Sequence, residues 1–282
     1  MVFASLLVTF REALEASLIV TIVSAYLRKI GRTELNRYLL AGSLAAVLAS
    51  LALGWTIHLV YGELKGPAAQ VFEGTAALTA TTVLTYMVFW MGRNARTIRH
   101  EIEQRVDIAV SRGQTYGIFA LAFVAVVREG IETVLFLTGV FFLDPSGTAI
   151  GITLGIGTVL ILMMLLLKGT YKLDIRRFFK YSSILLVVLA AGLAGFGVHE
   201  LIEASESSGV QLGLLSQEAF NINPADNADI FHEKGVVGSI LRALVGYDGN
   251  PEWLRVVVYL SYWTIVGAYL LRAYRPVQTL QR

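Results

Sequence analysis

The sequence predicts an all-α polytopic membrane protein with seven transmembrane helices. Of its 282 residues, 55% are hydrophobic and only 16% are charged, and the mean hydropathy is +0.64. These values are not those of a soluble globular chain. A segment in lipid has to satisfy its own backbone hydrogen bonds, and the apolar runs are too long and too evenly apolar for barrel strands. We therefore expect every span to be a helix.

Seven apolar runs are long enough to cross the roughly 30 Å of hydrocarbon in a bilayer, which takes about 20 residues. They lie at about residues 2–27, 38–61, 69–91, 115–142, 148–167, 181–203 and 253–272. The first run carries Arg11 in its middle and has no basic segment before it, so we interpret it as a retained helix rather than a signal peptide. The prediction is a single transmembrane domain over residues 1–282, with an outer loop at about 204–252. Within that loop the apolar stretch 236–245 is too short to span, and we expect a helix on the membrane surface or packed on the bundle.

The basic residues predict the orientation of the chain. Seventeen Lys and Arg residues lie in the segments 28–37, 92–114 and 168–180 and in the C-terminal tail, all on one side of a seven-helix topology. The other side holds four: Lys65, Lys234, Arg242 and Arg255. The positive-inside rule then places the N-terminus outside and the C-terminus in the cytoplasm. Nine acidic residues on the outer side either attract cations or keep the loops soluble.

A five-residue motif occurs twice, as Arg11-Glu12-Ala13-Leu14-Glu15 and, 117 positions later, as Arg128-Glu129-Gly130-Ile131-Glu132. Each copy lies midway along an apolar run, where ionisable side chains are costly and point to a functional site. On a helix the three charged residues of each copy share one face. Three spans separate the two starts, so the second motif helix runs in the opposite direction. This predicts inverted repeats at about 1–91 and 115–203 with helix seven added, an arrangement that places transporter sites near the midplane.

If the two motif helices cross at this face, their carboxylates come together and predict a metal site. Its ligands would be Glu12, Glu15, Glu129 and Glu132, with Arg11 and Arg128 as charge-balancing residues that hold the carboxylates. The group has a formal charge of −2. There is no cysteine in the chain, so oxygen ligands predominate and suit Fe³⁺, Mn²⁺, Mg²⁺ or Ca²⁺. The alternative is a pair of structural i,i+4 ion pairs, but buried pairs often fail to repay their desolvation.

A second group of residues near the outer helix ends is predicted to line an outer vestibule: His58, Glu73, His199, Glu200 and Glu203. A lone interfacial histidine such as His58 is more often structural. The run His199–Glu203 is similar to the H-E-x-x-H zinc-protease motif but lacks the second histidine, so it does not indicate a protease.

The R-E-x-x-E motif in the first and fourth of seven helices resembles the high-affinity iron permease family, which includes fungal permeases that work with a multicopper ferroxidase and bacterial EfeU-type permeases. The likeness covers nearly the whole chain: both motifs, Glu73-Gly74, His199-Glu200 with Glu203, and Gly246-Tyr247 followed by Tyr262-Trp263. It implies iron import across the plasma (inner) membrane, with the four motif glutamates handling iron. It also implies a ferroxidase or a periplasmic or extracellular iron-handling protein as partner.

Iron is then the cargo, and we expect no permanently bound cofactor, no enzymatic activity and no nucleic-acid partner. Whether Fe²⁺ or Fe³⁺ is carried stays open. One alternative is a divalent-cation or proton-coupled transporter that uses the same acids. Another is a membrane-embedded carboxylate metal oxidoreductase, but such sites usually pair E-x-x-H motifs, and both copies here read E-x-x-E.

Overall fold

The computed structural model describes residues 2–94, 98–111, 115–142, 144–167, 175–210, 212–224, 230–232 and 235–273. The basic segment 168–174, most of the C-terminal tail and Lys234 lie outside these residues, as does part of the predicted outer loop. The described chain contains nine α-helices, which confirms the all-α fold class. They are α1 (Val2–Lys29), α2 (Asn36–Glu63), α3 (Pro67–Asn94), α4 (Ile98–Ser111), α5 (Thr115–Phe141), α6 (Pro145–Leu167), α7 (Ile175–Ser207), α8 (Val236–Val245) and α9 (Trp253–Ala273).

Each of the seven apolar runs corresponds to one long helix: α1, α2, α3, α5, α6, α7 or α9. Five of these, α2, α3, α6, α7 and α9, are long and apolar enough to cross a membrane. The other two, α1 and α5, are equally long but carry the three charged residues of a motif in mid-helix. The chain is thus a multi-pass helical membrane protein, whereas the count of seven spans and the repeat arrangement stay predictions.

The segment 92–114 contains a helix that the sequence analysis did not predict. This helix, α4, is amphipathic, and its Val106 is completely buried in a cluster with Val23 and Leu27 of α1 and Ile118 of α5. Tyr26 of α1 packs against this cluster, and its hydroxyl donates a hydrogen bond of 2.7 Å to Asp107 of α4. The helix α4 is therefore anchored to the C-terminal part of α1 and the start of α5.

The chain divides into two compact units. The first, Met1–Lys65 with Arg93–Ser182, contains α1, α2, α4, α5 and α6. In it α1 packs mainly on α6, and α2 packs mainly on α5, while α1 also contacts α5. Glycines permit these close approaches: a Cβ at Gly151 of α6 would lie 2.5 Å from the Val2 carbonyl oxygen, and one at Gly42 of α2 would collide with the Phe119 carbonyl oxygen.

The second unit, Gly66–Gly92 with Ser183–Arg282, contains most of α3 and α7 together with α8 and α9. Here α3 and α7 cross at two glycines. A Cβ on Gly74 would lie 2.8 Å from the Gly197 carbonyl oxygen, and a Cβ on Gly197 would lie 2.8 Å from the Gly74 carbonyl oxygen. The leucines one turn further on, Leu78 and Leu201, cover the opposite glycine. The two backbones are therefore in direct contact at this point.

The short apolar stretch in the outer loop forms the helix α8, as predicted, and it is packed on α7. It ends at Val245 and is followed by Gly246, whose φ of 71° lies in the left-handed region that favours glycine. A Cβ at Gly246 would also lie 2.5 Å from the Cα of Gly192 on α7. Both the backbone conformation and the close contact therefore require glycine at this position.

Candidate functional site

The first motif lies on the buried face of α1. Arg11 is 0% exposed, Glu12 is 1% exposed, and Glu15 is buried as well. The Arg11 Nη1 atom donates a hydrogen bond of 3.0 Å to Glu12 Oε1, and its Nη2 atom lies 2.8 Å from Glu15 Oε1. Because residues i, i+1 and i+4 share a helix face, one guanidinium holds both carboxylates of its own helix.

The second motif lies on α5 and is only partly equivalent to the first. Glu129 and Glu132 are buried, and Arg128 Nε donates a hydrogen bond of 2.9 Å to Glu132 Oε1. In contrast to Arg11, the Arg128 side chain is 44% exposed. Gly130 faces Ser50 of α2, where any Cβ would collide with the Ser50 hydroxyl. The glycine in the second copy thus permits the tight packing of α2 on α5.

The structure brings the two motifs together. Carboxylate oxygens of Glu12, Glu15 and Glu129 lie within 4.8 Å of one another. Two opposite metal–oxygen bonds of about 2.4 Å span such a distance, so one cation can bridge these oxygens. Glu132 is close enough for its charge to act on both Arg11 and Glu15. Four carboxylates and the Arg11 guanidinium therefore share one buried region, whereas the Arg128 guanidinium, which pairs with Glu132, is half-exposed.

Several oxygens in this region accept no hydrogen bond within the part of the chain that the structure describes. They are Glu12 Oε2, Glu129 Oε2 and Glu132 Oε2, all buried. Leaving a buried acceptor unsatisfied costs about 1–3 kcal/mol, and more when it is charged. The Thr9 hydroxyl is also buried and has no hydrogen-bond partner among the described residues. Sequence reasoning missed Thr9, although its position three residues before Glu12 on the same helix face was a usable signal. A cluster with so many unsatisfied oxygens has the donor set of a hard cation site.

Four of the five predicted vestibule residues belong to the second unit. His199, Glu200 and Glu203 each place a ligand atom within 4.8 Å of the others, at the C-terminal end of α7. Glu73 of α3 is close enough to act electrostatically on Glu200. His58 belongs to the first unit, where its exposed ring contacts Trp55 and Phe141.

Glu252, directly before α9, is a site residue that the sequence analysis counted only as one of the outer acids. Its Oε1 atom lies 2.6 Å from His199 Nδ1, and since a carboxylate only accepts, the imidazole donates. Burial opposes ionisation of Glu252, but the hydrogen bond from His199, a backbone hydrogen bond and the charges of His199 and Arg255 together outweigh it and hold the pKa of this carboxyl below its usual range. The sequence around His199 or Glu252 does not indicate this pairing, because the two residues are 53 positions apart.

Long apolar helices and a buried, oxygen-only acidic cluster define the class of this molecule, a multi-pass membrane protein with a candidate cation site. The comparison with known proteins makes the assignment specific. The model of the iron permease FTR1 family matches residues 2–272. The chain belongs to this family and is an iron permease, which confirms the resemblance found in the sequence.

Individual relatives match over nearly their whole length. An uncharacterized protein of Archaeoglobus fulgidus is 38% identical over 272 residues, which cover 96% of this chain and 95% of the relative. The ferrous iron permease EfeU of Yersinia pestis is 34% identical over 92% of this chain and 90% of its own length. EfeU of Escherichia coli strain 536 is 33% identical over 92% of both chains. No solved structure matches the chain.

Proposed function

We propose that iron crosses the membrane through the buried cluster of Glu12, Glu15, Glu129 and Glu132. The observation that carries this proposal is the convergence of carboxylate oxygens from α1 and α5 within 4.8 Å, with buried oxygens that accept no hydrogen bond from the described residues. A cation bound there satisfies these oxygens and offsets the excess negative charge. Arg11 cannot ligate a cation, and its role is to keep the carboxylates together while the site is empty.

We further propose that α1–α3 and α5–α7 are inverted repeats and that α9 completes seven spans. A two-fold relation between the repeats exchanges α1 with α5 and α2 with α6, so the α1–α6 contact should correspond to the α5–α2 contact. The packing supports this relation. Gly151 of α6 packs against Val2, and Gly42 of α2 packs against Phe119. Val2 and Phe119 are 117 positions apart, the same shift that relates the motifs.

The crossing of α3 and α7 gives independent support for the repeats. These two helices would exchange with each other, so their contact should be reciprocal. A Cβ on Gly74 or on Gly197 would lie at the same distance from the carbonyl oxygen of the other glycine. Leu201, four residues after Gly197, covers Gly74, and Leu78, four residues after Gly74, covers Gly197. Rocking of such repeats about a central site is the usual basis of alternating access. In our proposal, iron release follows from this rearrangement or from protonation of the carboxylates.

The direction of transport follows from the charge distribution along the sequence. With the N-terminus outside and the C-terminus in the cytoplasm of the plasma (inner) membrane, iron enters from the acidic outer side. Iron is the cargo, no resident cofactor or enzymatic step is needed, and a ferroxidase or another iron-handling protein delivers the ion. The oxygen-only ligand set accommodates both oxidation states, and the EfeU relatives of Yersinia pestis and Escherichia coli are named ferrous iron permeases.

The test is iron uptake into proteoliposomes, with Fe²⁺ held by ascorbate in one series and Fe³⁺ supplied as a chelate in the other. Glu12→Gln and Glu129→Gln should each lower uptake roughly tenfold or more, since even outer-shell changes cost a metal site 10–100-fold. Glu63→Gln, at the exposed end of α2, is the matched control and should keep the parent rate.

Two results would contradict the proposal. Unchanged uptake by folded, inserted Glu12→Gln and Glu129→Gln would refute the site. Preferred uptake of Mn²⁺ over iron in a competition experiment would instead favour a general divalent-cation transporter.

A further inference from the structure

The C-terminal end of α7 repeats the spacing of the two motifs with a different first residue. His199, Glu200 and Glu203 occupy positions i, i+1 and i+4, as Arg11, Glu12 and Glu15 do on α1. An arginine at the first position cannot ligate a metal, whereas an imidazole can. The ligand atoms of His199, Glu200 and Glu203 lie within 4.8 Å of one another. This group therefore offers three ligands where a motif helix offers two.

A purely structural role does not account for the burial of the Glu200 carboxylate. Only 9% of its surface is exposed, and it forms no hydrogen bond or ion pair within the part of the chain that the structure describes. The nearby charge that acts on it most strongly is that of Glu73, which is also negative. The contact of Gly74 with Gly197 fixes this proximity, because it holds α3 against α7 one turn before Glu200. Burying a carboxylate beside another carboxylate is unfavourable unless a cation joins them.

His199 is already oriented as a metal ligand would be. Its Nδ1–H donates to Glu252 Oε1 at 2.6 Å, which leaves Nε2 as the atom with a free lone pair. Metal-bound histidines almost always donate their other ring N–H to a carboxylate or carbonyl in this way. Glu252 would thus be a positioning residue that fixes the tautomer and the ring plane.

We propose that the second unit holds a metal site of its own, in which His199, Glu200 and Glu203 bind a divalent first-row transition ion. One imidazole and two carboxylates favour such an ion over Mg²⁺ or Ca²⁺, which prefer oxygen ligands alone. Three protein ligands leave coordination positions for water, so the ion is exchangeable. This site is separate from the four-glutamate cluster and does not rest on the proposed transport route.

The test is a Co²⁺ titration of the purified protein, read from the visible absorption of bound Co²⁺. The Glu12→Gln, Glu129→Gln double variant removes the first cluster and should still bind one Co²⁺. Adding His199→Gln or Glu203→Gln should weaken this binding at least tenfold, while Glu252→Gln should weaken it about 10–100-fold without changing the stoichiometry. Glu203 is exposed, so its replacement leaves the fold intact. Millimolar Mg²⁺ should not displace the ion.

The matched controls in the same background are His100→Gln and Glu206→Gln, both exposed and outside the group. Both should bind Co²⁺ like the double variant itself. The proposal is overturned if the double variant binds no Co²⁺, or if His199→Gln and Glu203→Gln leave the affinity unchanged. Either result leaves the transport proposal standing, since that proposal is judged by iron uptake.

Discussion

Replacing each motif arginine by methionine should have very different effects, although the two motifs are nearly identical. Arg11 is 0% exposed and is paired with both Glu12 and Glu15. Removing one partner of a buried ion pair costs about 3–5 kcal/mol, because the other charge is left buried and uncompensated. The Arg128 side chain is 44% exposed and is paired with Glu132, so its loss should cost about 1 kcal/mol or less.

The difference of about 3 kcal/mol corresponds to roughly 6–12 °C in Tm for a chain of this size. The assay is thermal unfolding of both variants in detergent with a chelator present, followed by tryptophan fluorescence. Fe²⁺ should then restore much of the loss in Arg11→Met, since a ligand at 100 times its Kd stabilises by about 2.7 kcal/mol. Equal losses in the two variants, or no recovery of Arg11→Met with iron, would refute the reasoning from burial.

Three further predictions concern the packing and the helix ends. Gly151→Leu should destabilise the fold by about 1–3 kcal/mol because the new side chain meets the start of α1, whereas Gly157→Leu, with nothing within 4 Å, should be neutral within about 0.5 kcal/mol in the same Tm measurement. Val106→Ala should cost about 1–3 kcal/mol because this side chain is fully buried, while Ile108→Ala, at a position 53% exposed, should leave Tm nearly unchanged. Asp144→Ala should cost about 1 kcal/mol at neutral pH, because Asp144 accepts the backbone N–H three residues on, at the start of α6. That hydrogen bond lowers the pKa of Asp144, so its contribution is present above about pH 4 and disappears as pH falls through the lowered pKa; parent and variant should converge in acid.

The long helices and the face of each motif could be predicted because both follow from local rules. Lipid leaves the backbone no partner but itself, so an apolar run of sufficient length becomes a helix. The spacing of Arg11, Glu12 and Glu15 then fixes their common face. The helix α4 was missed because its basic residues hide an apolar stripe at Ile102, Val106 and Ala109, which does have helical spacing.

Other features of the site depend on contacts that sequence patterns do not encode. The two motifs are nearly identical in sequence, yet the guanidinium of Arg11 is fully buried and that of Arg128 is half-exposed. The pairing of His199 with Glu252 joins residues 53 positions apart across an irregular loop. Only the folded chain brings them together.

The packing of α1 on α6 has a consequence for how the protein is made. The helix α1 ends at Lys29, but its main packing partner is not complete until Leu167. At about 5–20 residues per second, synthesis of the intervening chain takes roughly 7–28 s. During that interval the nascent α1 carries Arg11, Glu12 and Glu15 without the neighbours that later bury them. The insertion machinery must therefore shelter the first motif helix from lipid until the second half of the chain arrives.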